Sequence, residues 1–189
     1  MLTAIHKQKF THLFHVMDAD RNGLLEWADY ERIAVRIAAV RGYAPATPVF
    51  EQLLGPFRYG WEQAAPFANE NTLNLEQWLD SYDAVLRAPA IYEGVVRPAA
   101  GLIFDALDLD ADEKVTVREW REFFHCYSID PTEADGCFYK YDLDGDGFVT
   151  RSEFVNLVAQ FYLSSDPSAP GNYLFGAFAQ EVVHASHPA

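Results

Sequence analysis

Basic charge, sulfur and long apolar runs are what this 189-residue chain has little of. Lys and Arg number 14 against 28 Asp and Glu, a formal charge of -14. No basic face is therefore expected for a nucleic-acid backbone or an anionic bilayer. No uninterrupted apolar stretch reaches the roughly 18 residues of a membrane span. The first residues, Met1 to Lys7, lack the charged-then-apolar order of a secretory leader. Two cysteines, Cys126 and Cys137, are too few for a disulfide framework. They are expected as buried free thiols, which fits a reducing, cytoplasmic location. Two methionines, Met1 and Met17, cannot build a pliable Met-rich recognition groove. There is no Gly-rich phosphate loop, nucleophile elbow or HExxH motif, so no catalytic residue is assigned and a non-enzyme is expected. Half of the chain is hydrophobic and 15% is aromatic. That is enough to bury a sizeable core as one compact domain or two closely packed halves.

The acids are concentrated. Three twelve-residue windows, 18–29, 108–119 and 142–153, hold thirteen acids and four bases, and so nine of the fourteen net negative charges. Each window repeats one order of oxygen-bearing residues. Side-chain oxygens stand at positions 1, 3 and 5: Asp18, Asp20 and Asn22; Asp108, Asp110 and Asp112; Asp142, Asp144 and Asp146. In a tight loop these converge on one point, and three further ligand positions complete an oxygen shell for a hard cation. Position 7 gives a backbone carbonyl (Leu24, Lys114, Phe148), and position 9 acts directly or through water (Glu26, Thr116, Thr150). A carboxylate at position 12 (Asp29, Glu119, Glu153) closes the shell. Position 6 must turn sharply, which suits Gly23 and Gly147 but not Glu113. An apolar residue fills position 8 in every window (Leu25, Val115, Val149).

These windows resemble EF-hand calcium loops. Their flanks agree, with apolar residues at helical spacing before and after each loop. Phe10, Leu13, Phe14 and Met17 lead into the first loop; Tyr30, Ile33, Ile37 and Val40 follow it. Ala100, Ile103, Phe104 and Leu107 precede the loop at 108, and Trp120, Phe123, Phe124 and Tyr127 follow. Ala134, Cys137, Phe138 and Tyr141 precede the last loop, on a helix expected to start with Asp130 as N-cap, Pro131 and Glu133. Phe154, Leu157, Val158 and Phe161 follow it.

EF-hands come in pairs, and the first loop has no near neighbour. Aligning position 8 and the aromatic after position 12 places a degenerate loop at 66–77, with Leu73 opposite Leu25 and Trp78 after the loop. Its ligand positions are Pro66, Ala68, Glu70, Thr72 and Gln77, a poor oxygen set. Hands one, three and four active and hand two degenerate is similar to the sarcoplasmic calcium-binding proteins, calerythrin, and coelenterazine-binding photoproteins and luciferin-binding proteins. The segment 29–37 and the tail 165–176 resemble the same family.

The resemblance implies an all-α fold: two EF-hand pairs packed into one compact globule, with short β-bridges between paired loops. The expected division is 1–90 and 91–189, the join bending at Pro89, Gly94, Pro98 and Gly101. Three Ca²⁺ ions are expected, with Mg²⁺ tolerated most at the first site, because Asp29 is a methylene shorter than Glu. Glu113 at positive φ is expected to strain the loop at 108 by about 1 kcal/mol. The expected function is intracellular Ca²⁺ buffering or Ca²⁺-responsive signal modulation by a monomer, its protein target undefined. The alternatives are a sensor that recruits a partner helix and a coelenterazine-type photoprotein. For the latter, His6, His12, His15, His125, His184 and His187 are available. His12 and His15 read as surface residues, and His184 with His187 as a terminal pair.

Overall fold

A computed structural model describes residues 1–88, 90 and 92–178, so Pro89, His184 and His187 lie outside the described residues. Among the described residues eight α-helices are delimited: α1 Ala4–Met17, α2 Trp27–Val40, α3 Pro48–Ala64, α4 Leu75–Leu86, α5 Arg97–Leu107, α6 Val117–Cys126, α7 Thr132–Tyr141 and α8 Arg151–Leu163. A π-helical turn at Tyr92–Val96 leads into α5, and 3₁₀ turns occur at Ala65–Phe67 and Pro170–Tyr173. Strands β1 (Lys114–Val115) and β2 (Val149–Thr150) pair antiparallel, with Val115 opposite Val149. Leu25 and Leu73 form the equivalent bridge in the first half, exchanging two backbone hydrogen bonds of 2.8 Å. The expected all-α architecture of paired helix–loop–helix units is what the chain adopts.

Local chemistry starts the helices where the sequence places them. Reciprocal capping boxes join Thr3 to His6, Asn74 to Gln77, Thr116 to Glu119 and Thr150 to Glu153, each satisfying two otherwise orphaned amides. Helix α3 starts with Thr47 as N-cap and Pro48 in its first turn. Its internal Pro56 removes one ladder bond. Helix α7 starts at Thr132, one residue later than expected. Pro131, not Asp130, is therefore the cap residue, and the Asp130 carboxylate accepts the Thr132 amide at 2.9 Å from one position earlier. Glu133 does not reach back; it accepts the Ala177 amide of the C-terminal tail at 3.2 Å instead.

The anticipated stripes form one continuous core, with Trp78, Trp120, Tyr141, Phe154 and Phe161 fully buried. Val40 is the exception on α2, exposed because the helix's last turn runs past the edge of the core. Both cysteines are free and buried. Burial raises the Cys126 thiol to about 11 and shifts Cys137 in the same direction, which leaves both unreactive.

The tail folds back over the core. Leu174 and Phe175 are buried, and Gly171 lies directly on the backbone of α8. An unexpected group anchors it. Lys9 of α1 is fully buried, and its Nζ donates to Gln160 O at 3.1 Å, Ser164 O at 2.8 Å and Asn172 Oδ1 at 3.3 Å. Two of these acceptors are carbonyls at the C-terminal end of α8, where the helix dipole favours a cation. His12 is half-buried rather than on the surface, and its Nε2 lies 2.7 Å from Phe175 O; His15 is exposed as expected.

Candidate metal centre

Each loop is built from its backbone inward. Positions 4 and 6 both take positive φ: Arg21 and Gly23, Ala111 and Glu113, Gly145 and Gly147. The turn at position 6 includes Glu113 at φ 66, so the expected strain is present there. The matching turn at position 4, met by Arg21 and Ala111, was not signalled by residue type. These turns aim successive amides at the position-1 carboxylate. Asp18 accepts from Asn22 N (3.1 Å) and Gly23 N (2.9 Å). Asp108 accepts from Asp112 N (3.1 Å) and Glu113 N (2.9 Å), and Asp142 from Asp146 N (3.0 Å) and Gly147 N (2.8 Å). Asp18 and Asp108 are buried.

Held this way, the carboxylates crowd one another. Ligand oxygens of Asp108, Asp110 and Asp112 lie within 4.8 Å of each other, and so do those of Asp142, Asp144 and Asp146. Three like charges at that spacing repel strongly, and a cation among them reverses the sign of the interaction. Acceptor-only hard oxygens in a loop of this shape fit Ca²⁺. The first loop brings Asp18, Asp20 and Asn22 together by the same backbone pattern, with one neutral amide in place of a carboxylate.

The closing residue differs between loops. Glu119 Oε2 accepts from Thr116 N and Oγ1, both at 2.8 Å, while its Oε1 accepts from Leu109 N at 2.8 Å. Glu153 repeats this with Thr150 at 2.8 Å and Leu143 N at 3.2 Å. A single carboxylate thereby ties the exit helix to the entrance of its own loop. Asp29 is too short for that span. Its Oδ2 accepts from Glu26 N at 3.0 Å, and its Oδ1 is taken by the Arg32 guanidinium at 2.8 Å. Arg32 also donates to Met17 O, the last residue of α1. Arg32 was not among the expected site residues; its place three positions after Asp29 on a helix was the available signal.

The 66–77 segment makes no comparable cluster. Glu70 and Asn71 take positive φ in a tight turn closed by Asn69 and Thr72. Gln77 serves as a cap, accepting Asn74 N at 2.9 Å.

A second feature lies between the halves. An apolar cavity of about 170 Å³ is lined by Met17, Tyr30, Tyr82, Phe123, Tyr127, Tyr162 and the tail residues Leu174 and Phe175, among others. Burial raises the phenol pKa of Tyr30, Tyr82, Tyr127 and Tyr162, so all four stay protonated donors. No histidine lines the cavity among the described residues.

Comparison with known proteins agrees with the loops. Residues 99–166 match the EF-hand domain pair family. A luciferin-binding protein from Renilla reniformis is 27% identical over 92% of this chain and 94% of its own length. Calerythrin from Saccharopolyspora erythraea is 25% identical over 86% of this chain and 94% of its own length. Among solved structures, a Streptomyces coelicolor calcium-binding protein superposes with a TM-score of 0.68 at 22% identity, covering 83% of this chain and 97% of that one. The loop geometry and these relatives agree: residues 99–166 form an EF-hand pair, and the chain is a calcium-binding protein similar over most of its length to a luciferin-binding protein, calerythrin and a sarcoplasmic calcium-binding protein.

Proposed function

We propose that the protein is a cytoplasmic, monomeric, non-enzymatic Ca²⁺ buffer or Ca²⁺-responsive modulator that takes three ions, one in each of the loops 18–29, 108–119 and 142–153. The carrying observation is the convergence of the position-1, -3 and -5 carboxylates in the loops at 108 and 142, with the same amide-to-carboxylate pattern in the loop at 18 and none of it at 66–77. The ligands would be Asp18, Asp20, Asn22, Leu24 O, Glu26 and Asp29; Asp108, Asp110, Asp112, Lys114 O, Thr116 and Glu119; and Asp142, Asp144, Asp146, Phe148 O, Thr150 and Glu153. Bound calcium would supply charge neutralisation and nothing more; the residues supply the geometry and the link to the exit helices. The Asp29–Arg32 pair leaves the first loop with the weakest closing carboxylate, so Mg²⁺ should compete best there. The two halves divide near residue 90, and each holds one bridge between its loops. Among the described residues no helix is long and apolar enough to cross a membrane. Rigid aromatics line the interior and Met17 is buried, which favours buffering over groove opening. Calorimetric titration tests this reading. Three Ca²⁺ per chain are expected, with dissociation constants below about 10⁻⁷ M for a buffer or about 10⁻⁷–10⁻⁵ M for a sensor. Any other stoichiometry refutes the ligand assignment.

The cavity favours a second reading, carriage of an apolar ligand. A cavity of about 170 Å³ compares with the roughly 150 Å³ apolar void that admits one benzene. Ring-sized insertion is possible as it stands, and a larger ligand would need the tail to lift. The absence of histidine from its described lining sets it apart from the photoprotein arrangement anticipated above. Mixing Ca²⁺-free protein with coelenterazine separates the outcomes. Binding without light on Ca²⁺ addition supports a carrier, light supports a photoprotein, and no binding removes both.

A further inference from the structure

Helix α2 carries two arginines and is capped by a third, each used for a contact outside its own helical ladder. Arg32 holds Asp29, the closing residue of the first loop, and Met17 O at the end of α1. Arg36, four residues on, donates to Cys126 O at 3.3 Å and to Ser128 Oγ, at the end of α6. Arg41 caps α2 and donates to Asp108 O at 2.7 Å, steadied by Tyr43 Oη at 3.2 Å. Asp108 ends α5 and opens the loop 108–119. The exit helix of hand one is therefore bonded to the first residue of the loop 108–119 and to the C-terminal end of α6, the helix that leaves that loop. These bonds cross between the halves, over 67 residues of sequence for Arg41 and 90 for Arg36.

We propose that α2 couples the loop 18–29 to the loop 108–119, so that occupancy of either raises the affinity of the other, with Arg36 and Arg41 as the positioning residues. The proposal rests on the metal reading above. Asp29 belongs to the first turn of α2, so an ion closing on it would draw that end of the helix inward. Asp108, which supplies the first ligand of the second loop, is held at the other end. A rigid helix fixed at both ends passes a displacement between them without any contact between the ions. Within a hand pair the β-bridges already join neighbouring loops, whereas these arginines join two loops that belong to different pairs.

The loops supply their own reporters. The position-6 amides of Gly23 and Glu113 donate to Asp18 and Asp108, so their NMR shifts read each site separately. Asp20→Ala, an exposed ligand of the first loop, is expected to weaken the Glu113 midpoint for Ca²⁺ by about fivefold or more, the lower end of allosteric couplings. Reciprocity requires Glu119→Gln to weaken the Gly23 midpoint by the same factor. In the background Arg36→Met/Arg41→Met the Asp20→Ala effect should fall below twofold, and Arg36→Lys/Arg41→Lys should restore part of it. A Glu113 midpoint that moves less than twofold in Asp20→Ala, or an undiminished effect in the methionine background, overturns the proposal. The reciprocal pair decides the matter even if the methionine variant fails to fold. A wild-type Glu113 resonance that never responds to Ca²⁺ overturns the site reading itself, and the coupling with it.

Discussion

Gly171→Ala is the most exacting test of how the tail is held. The residue has an ordinary φ, so backbone strain is not the issue; space is. A Cβ there would stand 2.4 Å from Leu157 O and 2.5 Å from Gln160 Cβ. Both atoms belong to α8, whose hydrogen-bonded ladder cannot retreat, so the tail must move outward by about the ångström that overlap demands. Overpacking of this kind costs about 1–3 kcal/mol. The upper limit is complete release of Leu174 and Phe175, whose burial is worth about 1.5–3 kcal/mol each. The tail will adopt whichever response costs less, so the loss should fall at about 1–3 kcal/mol. In a chain of this size that lowers the melting temperature by about 2–12 °C. Two connections loosen with it: Asn172 Oδ1 to Lys9, and Phe175 O to His12. Because Leu174 and Phe175 line the cavity, an apolar dye should also bind more strongly. Gly136→Ala is the control. Its Cβ would meet nothing within 4 Å inside α7, and it should melt at or slightly above the wild type. If Gly171→Ala melts within 1 °C of the wild type in calorimetry, the tail is not seated on α8 as described.

Removal of metal should destabilise the whole fold, since crowded carboxylates recover their repulsion. Each occupied site adds about 2.7 kcal/mol at a hundredfold excess of Ca²⁺ over its dissociation constant, and a melting temperature indifferent to chelator would contradict this. Lys9 gives a pH signature. Burial lowers its ammonium from 10.5 to about 7, so between those values the unfolded chain binds the extra proton. Stability should therefore rise as the pH goes up from about 7 towards 10.5. Lys9→Met should flatten that slope, and an unchanged slope in denaturant titrations would rule Lys9 out as its source. Asp29→Glu should let the first loop close on its own entrance as the other two do, raising Ca²⁺ preference over Mg²⁺. Competition monitored at the Gly23 amide would expose the error if selectivity stayed the same.

The loops were legible because their chemistry is written in register: oxygens at 1, 3 and 5, an apolar residue at 8, a carboxylate at 12. The same register located Leu73 opposite Leu25 although hand two keeps almost no ligand. What escaped were contacts set by tertiary placement. Lys9 reads as a surface lysine by type, yet it lies between Ile5 and Leu13 at i±4 on the buried face of α1, a signal that periodicity could have supplied. Arg36 and Arg41 carry no signal, because the acceptors that matter, Cys126 O, Ser128 Oγ and Asp108 O, lie in the other half. Glu133 reads by position as part of a helix start, and the arrival of the tail gives it a different partner.

The degenerate hand shows which parts of the motif the fold itself requires. Residues 66–77 have lost the converging carboxylates but keep the bridge at position 8, the aromatic after position 12 and a polar cap at that position. Leu73 and Trp78 are both fully buried, and Trp78 Nε1 donates to Phe10 O at 3.0 Å, tying α4 to α1. Gln77 makes with Asn74 the same capping box that Glu119 makes with Thr116 and Glu153 with Thr150. Position 12 thus has two duties, helix start and loop closure, and a neutral amide satisfies only the first. Exchange of glutamate for glutamine leaves the helix intact while removing the charge that an ion would need. Folding and ion binding are therefore separable at this position, and that is why Glu119→Gln should remove metal from hand three without unfolding it.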